Sequence, residues 1–239
     1  MTTRSLEITP KSFGRTAGAL YLAIAVFGVF SIGYVPSVII QTHDAGATAQ
    51  NILAYKALYN MGLFGDVVVL LLEVILTAML YVMFKPVSAT LALVAAWSRI
   101  AMTMVMGVNL LFNILPVFLL SGADSLSGIP PQSLQSGVMI LLRAHDYGIY
   151  IWQLFFALHL LAVGYMIVHS NLFPHVLGRL MAVGSFGYSL QALQKIMHIE
   201  STVLSVAVFA LLVLVTVGEL AFAFWLLIKG ARPKAGGLA

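Results

Sequence analysis

The chain has 239 residues, of which 61% are hydrophobic and only 8% are charged. An average soluble domain carries about 25% charged residues, so this composition excludes an ordinary water-soluble core. The formal net charge of +4 comes from basic residues near the ends of apolar stretches, where they suit anionic lipid head groups better than nucleic acid. Because the chain has no cysteine, disulfides, iron–sulfur clusters, thiolate metal sites and cysteine nucleophiles are excluded as well.

Six long apolar stretches predict an all-α integral membrane protein, a bundle of six transmembrane helices in one domain. A helix needs about 20 apolar residues to cross a bilayer, and each stretch is at least that long. The predicted spans are approximately residues 14–40, 58–84, 87–120, 137–168, 174–197 and 203–228. They leave an N-terminal tail at 1–13 and a C-terminal tail at 230–239, with no room for a second domain.

Three local features of the sequence predict structure within or between the spans. Residues 42–59 are polar enough to leave the bilayer, and Asp44 before an alanine-rich run predicts the N-terminus of a short surface helix. The third span is longer than a bilayer requires, so Pro116 is expected to kink or end it near one interface. Residues 121–136 contain two glycines and two prolines, which predict a loop.

The distribution of lysine and arginine predicts that both termini are cytoplasmic, by the positive-inside rule. In that orientation the basic residues on the cytoplasmic side are Arg4, Lys11, Arg15, Lys85, Arg179, Lys229, Arg232 and Lys234. Those on the opposite side are Lys56, Arg143 and Lys195.

Blocks of sequence spread through the chain are distinctive in combination. They are RTAGALYL (15–22), DAGATAQNI (44–52), LYVMFKPV (80–87), HDYGIYIWQLFFALHLLAVGY (145–165), LFPHVLGRL (172–180) and GELAFAFWLLIKG (218–230). With these blocks the chain resembles, over nearly its whole length, the bacterial membrane family catalogued as domain of unknown function 4386. The resemblance implies a six-helix multi-pass protein, which we expect in the inner (cytoplasmic) membrane, and it implies no activity, substrate or catalytic residue.

Polar residues inside the apolar stretches are the most informative positions, because a charge in hydrocarbon needs a partner or water. The candidates for binding a ligand or carrying a proton are Asp66, Glu73, Arg99, Asn109, Asn113, His145, Asp146, Gln153, His159 and Glu219. Asp66 and Glu73 are seven residues apart and therefore share a helix face.

A subset of the polar residues falls at one depth, in the outer half of the bilayer for the orientation above. This subset is Asp66, Asn109, Asn113, Arg143, His145, Asp146, Gln191 and Lys195. The convergence predicts a polar cavity that opens outward, with His145 and Asp146 at its wall together with Asp66 or Glu73. The competing interpretation is that polar residues only pair across helices, with Glu219 as a structural partner of Arg99.

Two kinds of bound group, a metal ion and haem, are not predicted. A metal site would draw on His145, Asp146, His159, Asp66 and Glu73, whose side chains suit zinc. His145 and His159 are ~21 Å apart along one helix, which is too far for a single ion. Two stacked haems would need partner histidines at matching depths on another span, and none is present. We predict no metal site and no cofactor, and no residue is identified as catalytic.

The adopted interpretation is a protein that binds or moves a small polar or amphipathic ligand through the cavity. Its partners would be the lipid bilayer and an unknown small molecule, with no nucleic acid. One alternative is a membrane-embedded hydrolase of lipid-like substrates, with or without a metal, that uses a carboxylate or His145 as general base. Another is an accessory structural subunit. No inverted repeat of the kind common in transporters is visible, and the pattern leaves all three hypotheses open.

Overall fold

The computed structural model describes residues 10–170 and 172–231, and this part of the chain is helical, with no strand. Its α-helices are α1 (Pro10–Gly28), α2 (Val35–Ile39), α3 (Ala45–Ala54), α4 (Lys56–Phe84), α5 (Ala89–Asn109), α6 (Leu111–Leu119), α7 (Pro131–Val168), α8 (His175–Ile196) and α9 (Thr202–Lys229). A π-helical segment, Val29–Tyr34, joins α1 to α2. Arg4, Arg232, Lys234 and most of the two predicted tails lie outside the described residues.

Helices long and apolar enough to cross a membrane make this a multi-pass membrane protein by length and composition. Five such stretches occur within the described residues: Lys11–Ile39, Lys56–Phe84, Ala89–Leu119, Pro131–Val168 and Thr202–Lys229. Length and hydropathy together therefore identify five candidate spans in the described residues, one fewer than the six predicted. The helix that falls outside the set is α8, because its 22 residues include three glycines, two glutamines, an arginine and a lysine.

The six long helices of the described chain form a ring in the order α1, α4, α5, α7, α8 and α9, and α9 packs against α1. Both described chain ends lie at the same end of this bundle, because Gly14 near the start of α1 is adjacent to Ala231. We call this the basic end, since Lys85 and Arg179 lie there too. The opposite end, which carries α2, α3 and α6, is called the α3 end.

Glycines set the close packing of α8 between its two neighbours. A Cβ atom added to Gly164 of α7 would lie 2.7 Å from the carbonyl oxygen of Gly178 in α8. A Cβ atom on Gly184 of α8 would lie 2.5 Å from the backbone nitrogen of Val215 in α9. Small residues allow helix backbones to approach closely inside a membrane. These glycines also lower the mean hydropathy of α8. The low hydropathy is therefore explained by the close packing of α8 between α7 and α9.

The helix boundaries differ from the predicted ones in two places. The helix α7 begins at Pro131, so the last part of the predicted loop 121–136 is helical; proline is tolerated in a first helical turn. The third predicted span divides at Leu110 into α5 and α6, whereas Pro116 lies inside α6. The predicted short helix after Asp44 is confirmed, because the Asp44 carboxylate accepts a hydrogen bond of 2.8 Å from the backbone N–H of Ala47.

Candidate functional site

A cavity of about 380 Å³ lies inside the ring of helices, lined by residues of α1, the π-helical segment, α4, α5, α7, α8 and α9. Ligand sites in proteins typically enclose about 300–1,000 Å³, so this cavity can hold a small molecule. Most of its wall is apolar, and representative residues are Ile24, Val69, Leu70, Met102 and Ile149. The polar lining residues come from the facing helices and form the site described below.

The cavity opens through the side of the bundle, next to the π-helical segment. Val29 and Ile32 of this segment line the cavity but are 71% and 41% exposed. The segment packs mainly on α4, whereas the first half of α1 packs on α9 through Gly18 and Tyr21. The two helices α1 and α9 therefore separate toward the α3 end, and this separation leaves the opening.

A buried ion pair lies at the base of the cavity. Arg99 of α5 is only 1% exposed, and its Nε atom lies 2.6 Å from Oε2 of Glu73 in α4. Its Nη1 atom donates a hydrogen bond of 2.9 Å to Nε2 of His159 in α7. Since arginine has no acceptor, Nε2 of His159 carries no proton, and Nδ1 donates to the carbonyl oxygen of Ala95 at 2.9 Å. His159 is therefore neutral and serves to orient Arg99.

A second carboxylate, Glu219 of α9, is held beside this pair by two tyrosines. The hydroxyl of Tyr21 in α1 donates to Oε2 of Glu219 at 2.9 Å, and that of Tyr188 in α8 donates to Oε1 at 3.3 Å. The guanidinium carbon of Arg99 lies 5.1 Å from the centroid of the Tyr21 ring. The expected pairing of Glu219 with Arg99 is thus replaced by hydrogen bonds to tyrosine, because Glu73 takes the arginine.

Closer to the α3 end, Asp66 of α4 and His145 of α7 line the same cavity. No ion pair joins their side chains in the part of the chain that the structure describes. Gln153, about two helical turns deeper on α7 than His145, is 6% exposed, and its Nε2 atom donates to Oε1 of Gln191 in α8 at 2.6 Å. The Oε1 atom of Gln153 is buried and has no hydrogen-bond partner in the described part of the chain. A residue that lines the cavity thus carries an acceptor atom that is covered by protein and not satisfied.

Asp146 does not reach the cavity, and the prediction that it lies at the wall is wrong. Its side chain is exposed, while the adjacent His145 is buried. Consecutive residues of an α-helix point ~100° apart, so only one of the two could face the cavity. The rotation of α7 about its own axis selects His145.

Asn109 and Asn113 are not among the residues that line the cavity, and Asn109 has a structural role. The Nδ2 atom of Asn109 donates to the backbone carbonyl of His145 at 2.9 Å, beside Gly148, where a larger residue would clash. The backbone carbonyl of Asn113 accepts a hydrogen bond of 2.8 Å from the hydroxyl of Tyr59. Both asparagines flank the junction at Leu110, so they fix the position of α5 and α6 against α4 and α7.

Of the eight polar residues expected to converge at one depth, Asp66 and His145 line the cavity. Arg143 and Lys195 are exposed, as suits long basic side chains near a helix end. The other charged lining residues, Glu73, Arg99 and Glu219, lie deeper in the bundle. The charged groups that line the cavity therefore lie nearer the middle of the helices than the cluster predicted for the outer half of the bilayer.

Tyr21, Trp152 and Tyr188 also line the cavity, although none is among the predicted site residues. A signal for Tyr21 exists in the sequence. Gly14, Gly18 and Tyr21 are spaced by four and three residues and share one helix face, and glycines mark the side of a membrane helix that meets another helix. A tyrosine on that side points into the protein rather than into lipid.

The residues considered for a metal site are not brought together. In residues 10–170 and 172–231, no group of three histidine, aspartate or glutamate residues has an arrangement that could hold an ion. His145 lines the cavity near Asp66, whereas Nε2 of His159 is engaged by Arg99. The separation of the two histidines along α7 agrees with the spacing argument from the sequence.

Comparisons with known proteins give one positive result. Neither the curated proteins nor the solved structures include a match to this chain. The model of the family described as "Domain of unknown function (DUF4386)" matches residues 16–230. This match includes all the helices that form the cavity, from the first turns of α1 to the end of α9. The chain therefore belongs to this family, in agreement with the resemblance found in its sequence blocks.

Proposed function

We propose that this protein binds an amphipathic small molecule within the membrane, in the cavity enclosed by its helices. The observation that carries the proposal is the division of the cavity of about 380 Å³ into an apolar wall and a polar base. The apolar wall would hold a hydrocarbon chain or ring. The base, with Glu219, Arg99 and Gln153, offers hydrogen-bonding groups for a head group.

The side opening supports entry of the ligand from the bilayer. Val29 and Ile32 are apolar, and they form the rim on the α1 side of the opening. The aliphatic side chain of Ile149 lines the cavity from the α7 side. A solute with no apolar part would lose its water along this path without compensation, whereas the apolar part of an amphipathic molecule already resides in lipid.

The proposed topology has six crossing helices, with α8 as the sixth, and cytoplasmic termini in the inner membrane. The position of α8 supports it, because α8 packs between α7 and α9 along its length. The location of Lys11, Arg15, Lys85, Arg179 and Lys229 at the basic end supports a cytoplasmic position for that end, by the positive-inside rule. The cavity would then open in the outer half of the bilayer.

Cysteine labelling tests this topology in a chain that has no native cysteine. Single cysteines at Ser127, Glu200 and Lys85 replace exposed residues in three different connections. We expect an impermeant thiol reagent to label Ser127→Cys and Glu200→Cys in intact cells, and to label Lys85→Cys only after permeabilisation. Labelling of Ser127→Cys but not Glu200→Cys would show that α8 does not cross, and the reverse pattern at Lys85 would invert the orientation.

Photolabelling tests the binding proposal itself. Photoreactive forms of dodecanol, dodecanoate and dodecylamine would be added to the protein in phosphatidylcholine nanodiscs, and labelled peptides identified by mass spectrometry. At least one probe should label the α1 and α7 walls around Ile24 and Ile149 in a saturable way. Labelling of the exposed face at Val206 and Phe209 serves as the control for lipid contact and should not saturate. If no probe gives saturable labelling of the cavity, the proposed function is wrong.

The alternative functions receive less support from the geometry. A hydrolase would need a general base that is free to accept a proton from water; Nε2 of His159 is occupied by Arg99, whereas His145 and Asp66 line the cavity and stay candidates for this role. Glu73 is likewise held by Arg99 at 2.6 Å. An accessory subunit would not require a cavity that opens to the side, so the cavity favours ligand binding over that role.

A further inference from the structure

The cavity carries an excess of acidic groups. Asp66, Glu73 and Glu219 line it, and Arg99 is the one lysine or arginine among the lining residues that the structure describes. Glu73 is matched by Arg99, whereas no ion pair to Asp66 or Glu219 is found in the described chain. Charges without a partner are costly inside a membrane protein, so a cation in this cavity would be stabilised.

Acceptor atoms at the base remain available to a ligand. Each oxygen of Glu219 receives one tyrosine hydroxyl, but a carboxylate has about four acceptor positions. The buried Oε1 atom of Gln153 has no hydrogen-bond partner among the described residues. A head group with N–H donors could fill the spare positions on Glu219, and could bond to Gln153 if that side chain rotated toward the cavity, whereas a carboxylate or phosphate head group could not donate to either.

Aromatic rings surround this base and add a second attraction for a cation. The rings of Trp152 and Phe156 are stacked with centroids 4.9 Å apart, and the Tyr188 ring meets Trp152 edge-on at 6.0 Å. All three residues line the cavity. The faces of aromatic rings attract ammonium groups. The Phe156 ring is also stacked with His159 and contacted by Arg99, so the attraction for a ligand cation would come from Trp152 and Tyr188.

We infer that the ligand is a protonated amine carried on an apolar chain or ring, with Glu219 as the carboxylate that accepts its N–H groups. This inference rests on the proposed function, because it concerns the same cavity. An anionic amphiphile is disfavoured, since three carboxylates line the cavity and the single arginine among the described lining residues is paired with Glu73. The apolar body would lie along Ile24, Val29 and Ile149, toward the side opening.

The three dodecyl probes in nanodiscs separate this inference from the proposed function. We expect dodecylamine to label the cavity in a saturable way, and dodecanol and dodecanoate to label it at least tenfold less. Glu219→Gln should reduce the amine labelling at least tenfold. Glu200→Gln, at an exposed carboxylate outside the cavity, should leave it unchanged. Gln153→Leu, which keeps every carboxylate, should reduce it at least threefold and covers the case in which Glu219→Gln fails to fold.

Each other outcome has a definite meaning. Equal or stronger saturable labelling by dodecanol or dodecanoate would overturn the cation inference while the binding proposal stands. Amine labelling that is unchanged in folded Glu219→Gln protein would overturn the assignment of Glu219. Absence of saturable cavity labelling by all three probes would overturn the proposed function, and the inference with it.

Discussion

Replacing Arg99 with methionine is expected to destabilise the protein by about 3–5 kcal/mol, because it leaves the Glu73 carboxylate buried without its cation. The same change removes the donor to Nε2 of His159. The free energy of unfolding can be measured in mixed micelles of dodecyl maltoside and dodecyl sulfate. Arg143→Met is the matched control, since Arg143 is exposed; we expect a change within about 0.5 kcal/mol.

A double-mutant cycle tests whether the cost comes from the unpaired charge. Glu73→Gln combined with Arg99→Met removes both members of the pair, and replacing both partners of a buried pair costs far less than removing one. We therefore expect the double variant to be more stable than Arg99→Met alone. If the double variant is the less stable of the two, the ion pair is not the reason for the destabilisation.

Closing the side opening with a bulky residue is expected to abolish ligand binding without unfolding the protein. Gly28 lines the cavity, and a Cβ atom added there would meet no atom of the described residues within 4 Å. The indole of Gly28→Trp can therefore occupy the opening without disturbing the helix backbone. We expect at least a tenfold loss of saturable probe labelling, which corresponds to ~1.4 kcal/mol or more of binding free energy.

Gly107→Trp provides the matched control for this variant. Gly107 has equally open surroundings, but it lies on α5 away from the cavity lining. Its labelling should equal that of the unsubstituted protein. Full labelling of Gly28→Trp would show that the ligand does not pass Gly28, and loss of labelling in both variants would indicate a general effect of tryptophan on the fold.

The helical architecture is largely predictable from the sequence, because helix faces that contact lipid consist of apolar residues. This apolar pattern is weakest in a helix that contacts little lipid. The helix α8 replaces apolar residues with Gly178, Gly184 and Gly187, which contact α7 and α9 directly. Its length is visible in the sequence, but its hydropathy reflects protein neighbours that only the folded ring supplies.

The composition of the site was predictable in part, and the pairing within it was not. Asp66, Glu73, Arg99, His145, Gln153 and Glu219 are predicted candidates that line the cavity. Which carboxylate takes Arg99 depends on the order of helices around the ring, and α4 is a direct neighbour of α5 whereas α9 is not. The choice between His145 and Asp146 depends on the rotation of α7, which adjacent residues in a sequence cannot specify.

The π-helical segment Val29–Tyr34 has a consequence for how this family can vary in evolution. A π-helical turn accommodates an additional residue compared with an α-helical turn, and one residue corresponds to ~100° of rotation. Deleting one residue between Val29 and Tyr34 would rotate Val35 and Ile39 away from the buried positions they hold. Substitutions at the rim would change the shape of the opening by small amounts. A change of one residue in the length of the segment would instead rotate the whole of α2 relative to the bundle. Chain length in this segment should therefore vary far less among relatives than the identity of its exposed side chains.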